Sequence, residues 1–573
     1  MRGLQQLPSP LYGGDYSYQM GCIRSILASG NPLASCSCVG AQPGYLPFYG
    51  TLVALVVRLT GLDVVRVMLG MSAFNHAAAV LAVWFVISRR FGRSAGLAMA
   101  ALWAVLYVPP VIKYTEFTAQ VLVPFYFDAL IGFVESPRPR RALYVGLTLA
   151  VLGYAHSVAF VGGVAIAVLC SLAALVIRDR AEGWPAAFAA RGRGLAIVAL
   201  AAAPALGYWW RPIFVLHGRT SVHYAEWNGG VLMRTFDDRL SYAAHTLGWM
   251  VSFEDPARAV LNVLFFAGLF AFVLARDPRR HGAAMLVAAV TFAWMFHYFV
   301  TMPLLGTHFV PEYVRSMLWA FAILLVAAIP VAFLFDRLRS PRARFAAEAL
   351  VVLAAFATLG VRANGLAADD AMVNARRPLA PHYAALQAWV LAHTKPDDVV
   401  LSSNELSFAW SALTGRKTLV TRRAQNDAFL DMDVRNRDAA LILYGHDEAL
   451  RRDRLKKWGV RYVLWTFDWV PSEFRGDAAG NVLSVDPMLY FPSAEADSEM
   501  SRAGVAVLPV HSWVDPAMRF PEIPQFDYEV IGPANYESRE HPWRLELDRY
   551  LSHAWSYEVD GHRVAELYRV AVP

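Results

Sequence analysis

Through the first 362 residues, apolar side chains come in blocks too long for a soluble core and too continuous for a half-buried surface. A helix needs about 20 residues to cross ~30 Å of hydrocarbon. Ten runs approach or reach that length, at 65–87, 95–112, 118–135, 142–156, 157–177, 195–211, 256–275, 282–302, 312–335 and 345–362. Two of them meet tightly at Ala155-His156-Ser157. The shorter run Pro47–Leu59 follows Pro43-Gly44 and reads as an interfacial or re-entrant helix.

Basic residues order these blocks. Every second loop is basic, with Arg89, Arg90 and Arg93; then Arg138, Arg140 and Arg141; then Arg178, Arg180, Arg191 and Arg193. The series continues through Arg276, Arg279 and Arg280 to Arg337, Arg339, Arg342 and Arg344, while the short loops between hold only Lys113. The positive-inside rule makes the basic set cytoplasmic. Residues 1–64, the loops 109–117, 212–255 and 303–311, and everything after Arg362 are then external. The alternation works only if Pro47–Leu59 does not cross. Met1–Pro10 has no apolar core and so no signal peptide; a span preceding Met1 is expected, to carry the opening segment across.

After Arg362 the pattern changes to that of a water-soluble α/β domain. Helical spacing covers His382–Thr394, and Val399–Ser403 reads as a buried strand after Lys395-Pro396-Asp397-Asp398. Thr418–Val420 and Arg461–Trp465 are further strands, with helical patterns at Arg437–Leu443 and Asp447–Lys457 between them. The fold class expected is a polytopic α-helical membrane protein with a C-terminal soluble α/β domain. Its parts are 1–64 (external loop with interfacial helices), 65–364 (membrane helices) and 365–573 (external soluble domain).

Composition agrees. Of 573 residues 57% are hydrophobic, 17% charged and 13% aromatic, with 17 Trp suited to interfacial belts. The net charge of +6 sits in inter-helix loops, which is a topology signal and sets nucleic acid aside. Four cysteines are too few for a disulfide scaffold. Cys170 reads as a small core residue. One bridge among Cys22, Cys36 and Cys38 is open in an oxidising compartment.

Candidate chemistry gathers at the outer ends of the spans. Asp15, among Gly13, Gly14, Tyr12, Tyr16 and Tyr18, could serve as a general base; an ordinary loop carboxylate is the plainer reading. Glu116 is either a second acid on that face or a helix-start residue complementing the dipole. Arg315 suits a lipid-linked phosphate, with His308 beside it; an ion pair with Glu312 is the alternative. Asp128, toward the cytoplasmic half of its span, reads as paired with Asn75 and His76. His156 reads as a packed residue at a helix junction, and 212–255 as a lid. No Gly-rich phosphate loop or nucleophile elbow occurs in the tail.

Three stretches resemble the GT-C superfamily of polytopic glycosyltransferases, and within it the catalytic subunit of oligosaccharyltransferase. They are Gly14-Asp15-Tyr16-Ser17-Tyr18 with Pro43–Gly50; Tyr114-Thr115-Glu116; and His382 to Val420, through Thr394-Lys395-Pro396-Asp397-Asp398 and Thr414-Gly415-Arg416-Lys417. The resemblance implies inverting transfer of a sugar from a polyprenyl-phosphate-linked donor to an acceptor, on the external face of a cytoplasmic membrane. Asp15 then matches the first acid, Glu116 the second, and Arg315 the arginine near the lipid phosphate. A divalent cation, Mg or Mn, shared by Asp15 and Glu116 is implied, with metal-independent transfer as the alternative. There are departures. Ser403-Asn404-Glu405-Leu406-Ser407 stands where the family carries Trp-Trp-Asp-Tyr-Gly, the 303–311 loop is short, and Tyr114 replaces an aspartate. These argue against Asn-x-Ser/Thr glycosylation. The rival class is a non-catalytic membrane protein, a transporter or an envelope-polymer-binding scaffold; the absence of internal repeats disfavours a transporter.

Overall fold

The computed structural model describes residues 5–7, 14–33, 35–41, 48–106, 113–177, 183–210, 236–237, 240, 244, 248, 253, 255–274, 286–291, 299, 315–367, 370–422, 430–476, 482–484, 487–510 and 528–571. The chain separates into two compact units. One joins the two ends, Met1–Val67 and Val373–Pro573; the other holds Met68–Arg211 and Met233–Met372.

Helices α1 (Gly14–Ser29) and α2 (Phe48–Thr60) precede α3 (Val64–Phe91), within whose first turn the unit boundary falls. Then come α4 (Arg93–Leu106), α5 (Tyr114–Glu135, with a π-helical turn at Thr118–Leu122), α6 (Pro139–Ala155), α7 (Ser157–Ile177), α8 (Trp184–Trp210) and α9 (Pro256–Leu274). A second π-helical turn, Arg315–Trp319, leads into α10 (Ala320–Arg337), and α11 (Pro341–Ala367) ends the series. Proline suits the first turn of α6 because the N–H it lacks would be unpaired there anyway.

Six of the described helices are long and apolar enough to cross a membrane. Large apolar side chains stand outward on them, including Leu200, Phe345, Phe356 and Val361. Only lipid satisfies such a surface, and the chain is a multi-pass membrane protein. Inside this unit α6 meets α8 where Gly146 and Gly153 face Ala201 and Ala205, the small-residue packing that lets membrane helices approach. Two buried polar side chains find backbone partners nearby. Arg191 Nη2 donates to the Val134 carbonyl at 2.9 Å, and Trp209 Nε1 to that of Gly153 at 2.9 Å.

Asp128 corrects an expectation. Its buried carboxylate pairs with Arg90 at 2.6 Å and Arg89 at 3.1 Å, rather than with Asn75 and His76. Those two residues lie about 20 Å up α3 from the arginines at 1.5 Å per residue, so the helix end reaches Asp128 and its middle does not. Most of the expected 282–302 span, the 303–311 loop with His308, Glu312, and most of the 212–255 lid lie outside the described residues.

In the tail, α12 (Pro381–His393) leads to β1 (Val399–Leu401), α13 (Asn404–Thr414) and β2 (Lys417–Thr418). Next are α14 (Met432–Leu443), α15 (Glu448–Trp458), β3 (Val460–Thr466), β4 (Phe474–Gly476), β5 (Val482–Ser484) and β6 (Leu489–Tyr490). The chain closes with α16 (Ala494–Arg502), β7 (Val507–Val510), β8 (Tyr528–Ile531), a 3₁₀ helix (Leu545–Tyr550), β9 (Leu551–Val559) and β10 (His562–Val570).

The helix ends follow the usual chemistry. Ser403, Asp431 and Asp447 accept the backbone N–H groups of Leu406, Val434 and Leu450, while Gly415 and Gly459 close α13 and α15 with left-handed backbone. The main sheet runs β2-β1-β3-β10-β9, parallel from β2 to β3 and antiparallel beyond. Its core includes Val400, Leu401, Val463, Leu464 and Trp465 with Trp410 and Ile442 from the covering helices. A smaller sheet runs β6-β8-β7.

On β10, Glu566 is buried, accepting from His541 Nε2 at 2.8 Å and Arg563 Nη1 at 3.0 Å. Burial alone would raise its pKa; the hydrogen bonds and charges of His541 and Arg563 outweigh burial and hold it at about 2. A depressed folded-state pKa adds stability above the ordinary value of 4.5, lost as pH falls through about 2. Between those values thermal denaturation of the purified protein should show a steeper fall in Tm for wild type than for Glu566→Gln. Parallel slopes would remove this pair from the domain's acid lability.

Candidate functional site

Asp15 is the second residue of α1, half-buried, behind Gly14 with its left-handed φ of +52°. What fixes it is the seating of α1 on the tail domain. A Cβ at Gly21 would stand 3.0 Å from the Ser411 carbonyl oxygen of α13, and one at Gly415 only 2.5 Å from the Ser25 nitrogen. Glycine at both places lets the two helices close. Arg24 Nη1 donates to the Leu413 carbonyl, and Ser411 Oγ to that of Cys36 at 3.2 Å. Lys417, buried on β2, donates from Nζ to the Ser35 carbonyl and to Ser25 Oγ.

The segment after α1 is held equally firmly. Cys22 and Cys36 form a disulfide, which settles the open pairing, and Cys38 stays outside the bridge as a buried thiol. Cys38 makes a parallel bridge with Thr418, through Thr418 N–H to the Ser37 carbonyl at 2.8 Å and Val39 N–H to the Thr418 carbonyl at 3.0 Å. Arg435 then donates to the Val39 carbonyl at 2.6 Å. The opening segment thereby extends the main sheet beyond β2. The residues Ser403-Asn404-Glu405-Leu406-Ser407 are all buried. Ser403 caps α13, Asn404 Nδ2 donates to the Pro487 carbonyl at 3.1 Å, and Glu405 pairs with Arg422 at 2.5 Å.

In the membrane unit, Glu116 lies in the first turn of α5. Its Oε2 accepts the Lys113 backbone N–H at 3.2 Å and the Thr115 hydroxyl at 2.9 Å, and Lys113 Nζ stands 3.7 Å from Oε1. The helix-start role is therefore filled. With a lysine ammonium and two hydrogen-bond donors already on the carboxylate, Glu116 does not fit as a metal ligand. Among the described residues no three His, Cys, Asp or Glu side chains gather as a metal site.

Sequence reasoning missed what surrounds Glu116. Tyr114 stacks on His156 at 5.6 Å and 20°, and the Thr118 hydroxyl donates to the Tyr114 carbonyl at 2.7 Å. The π-helical turn Thr118–Leu122 packs against the second one, Arg315–Trp319. Such turns recur at functional sites because the extra residue re-aims side chains. Buried Gln120 Oε1 and Trp319 Nε1, one on each turn, have no hydrogen-bond partner among the described residues. A glutamine within an apolar run was the available signal. Arg315 is described by its backbone alone, at the start of the second turn.

No known protein-family description matches the chain. An uncharacterized protein of Methanocaldococcus jannaschii is 45% identical over 87 residues, which are 15% of this chain and 62% of that protein. Among solved structures, the chain is similar to the Archaeoglobus fulgidus oligosaccharyltransferase in complex with zinc and sulfate, at 12% identity and TM-score 0.44, covering 84% of this chain and 70% of that one. It is similar to the Archaeoglobus fulgidus oligosaccharyltransferase AglB in complex with an inhibitory peptide and a dolichol-phosphate, at 13% and 0.43, covering 90% and 76%. ArnT from Cupriavidus metallidurans bound to undecaprenyl phosphate is a third, at 14% and 0.40, covering 99% and 94%. At these scores and identities the likeness assigns neither activity nor site.

The seating of α1 is directly testable. Gly21→Val forces a side chain against Ser411 and should destabilise the unit by about 1–3 kcal/mol. The readout is a lowered Tm of the purified protein, with Gly21→Ala intermediate. An unchanged Tm for Gly21→Val would mean that α1 is not held this closely.

Proposed function

We propose that the chain is a GT-C-like membrane glycosyltransferase that moves a sugar from a polyprenyl-phosphate-linked donor to an acceptor on the external face. The observation that carries the reading is the meeting of two π-helical turns in the membrane unit, one directly after Glu116 and the other beginning at Arg315. It brings the elements of two residues named by the sequence resemblance side by side, among buried polar groups that a purely structural helix pair would not leave unpaired.

Two features support the external face. The basic loops make the opposite side cytoplasmic. The Cys22–Cys36 disulfide belongs to an oxidising compartment, and it lies in the unit that contains the tail domain.

In the proposed step Asp15 takes the proton of an acceptor hydroxyl or amide as that atom attacks the anomeric carbon. The bond from that carbon to the phosphate oxygen breaks, and polyprenyl phosphate leaves with its negative charge matched by Arg315. Glu116 orients Lys113 and the start of α5 beside the donor. General-base assistance of this kind contributes about 10²–10⁴-fold. Purified full-length protein supplied with polyprenyl-phosphate sugars should therefore lose turnover by about that factor in Asp15→Asn. Equal turnover in both would remove Asp15 from the mechanism.

A further inference from the structure

Away from the residues of the proposed transfer step, the tail domain contains an open cleft of roughly 1090 Å³. Its walls are the 532–544 loop after β8, the 3₁₀ helix, the edge of β10 and Tyr444. Its lining divides into a rigid part and a free part.

The rigid part is a cluster of rings. His541 stacks on Trp543 at 4.4 Å and 14°, meets Trp465 and Tyr568 edge-on, and is fixed at Nε2 by Glu566. Arg544 is also committed, donating to the carbonyls of Tyr444 and Gly504 at 2.6 and 2.9 Å. Arg563 is committed to Glu566.

The free part consists of Tyr536, Arg539 and Arg549, with the carboxylates of Glu546 and of Glu540, which accepts from Asn535 Nδ2 at 3.0 Å, also in the lining. Tyr536 is 51% exposed, its ring braced edge-on by Phe474 at 5.8 Å. Arg539 and Arg549 are exposed, and neither makes an ion pair with another described residue, though the charge of Arg549 reaches Glu448.

The loop backbone narrows the ligand class. The N–H groups of Gly532, Ala534, Asn535, Glu537 and Glu540 are all spent on acceptors within the domain. Those five amides are therefore not available to cradle a phosphate. What the cleft offers is an exposed ring face and two guanidinium groups whose planar forks match carboxylates. An acidic sugar presents both complements, a C–H face for the ring and a carboxylate for the guanidinium.

We propose that this cleft binds an acidic saccharide, with Tyr536 stacking on a sugar ring and Arg539 and Arg549 holding uronate carboxylates. The site is separate from the transfer chemistry and would hold an anionic envelope or acceptor glycan against the tail domain. It is read by binding alone, so its outcome does not depend on turnover.

The test is titration calorimetry of the detergent-purified full chain with trigalacturonate, maltotriose and inorganic phosphate. Trigalacturonate should bind, more weakly as salt rises, and at least about tenfold more tightly than maltotriose. Arg539→Ala and Arg549→Ala should each weaken it about tenfold. Tyr536→Ala should lose binding that Tyr536→Phe keeps, with unchanged Tm in all variants. The proposal is overturned if trigalacturonate does not bind at millimolar concentration, if maltotriose or phosphate binds as well, or if the arginine variants bind like wild type.

Discussion

A lysine ammonium buried at the edge of a sheet is costly unless its protons find oxygen. Lys417 on β2 finds it in the opening segment, at the Ser35 carbonyl and Ser25 Oγ. The same edge presents Thr418 to Cys38, and the Gly21 and Gly415 surfaces leave room for nothing bulkier than backbone between α1 and α13. The tail domain is therefore unfinished without residues made more than 370 positions earlier. Contacts of such sequence separation form late, so the first and last parts of the chain complete one core together. Asp15 inherits its position from that core.

Much of this architecture was legible because its signals are local. Length and hydropathy mark the membrane helices, and their arginine-rich ends mark the loops. In the tail, Val399–Leu401 and Val460–Thr466 read as strands, being apolar on both faces, and α12, α14 and α15 carry helical spacing. One local signal went unread. Asp560-Gly561, both with positive φ, is the two-residue turn joining β9 to β10, and it lies in the stretch where proline and glycine obscured the pattern.

The remainder depends on tertiary geometry. No residue type announces a π-helical turn, so the pairing of Thr118–Leu122 with Arg315–Trp319 could not be foreseen. The cysteine pairing among Cys22, Cys36 and Cys38 was open until the edge bridge engaged Cys38 with Thr418. Asp128 was given partners by residue type, whereas the rise of α3 decides which residues come level with it. Glu116 illustrates the opposite limit: its neighbour Lys113 was visible in the sequence, and only distances show how fully it occupies the carboxylate.

The stitching of the two chain ends also carries a rule of parity. A sheet in which Cys38 is bridged to Thr418 cannot straddle a bilayer. The chain that leaves it at α3 must return to the side it left, so the number of crossings between those points is even. Any insertion or deletion of a single span in that interval would strand Thr418 and Cys38 on opposite faces of the membrane. The sheet edge thus counts the helices.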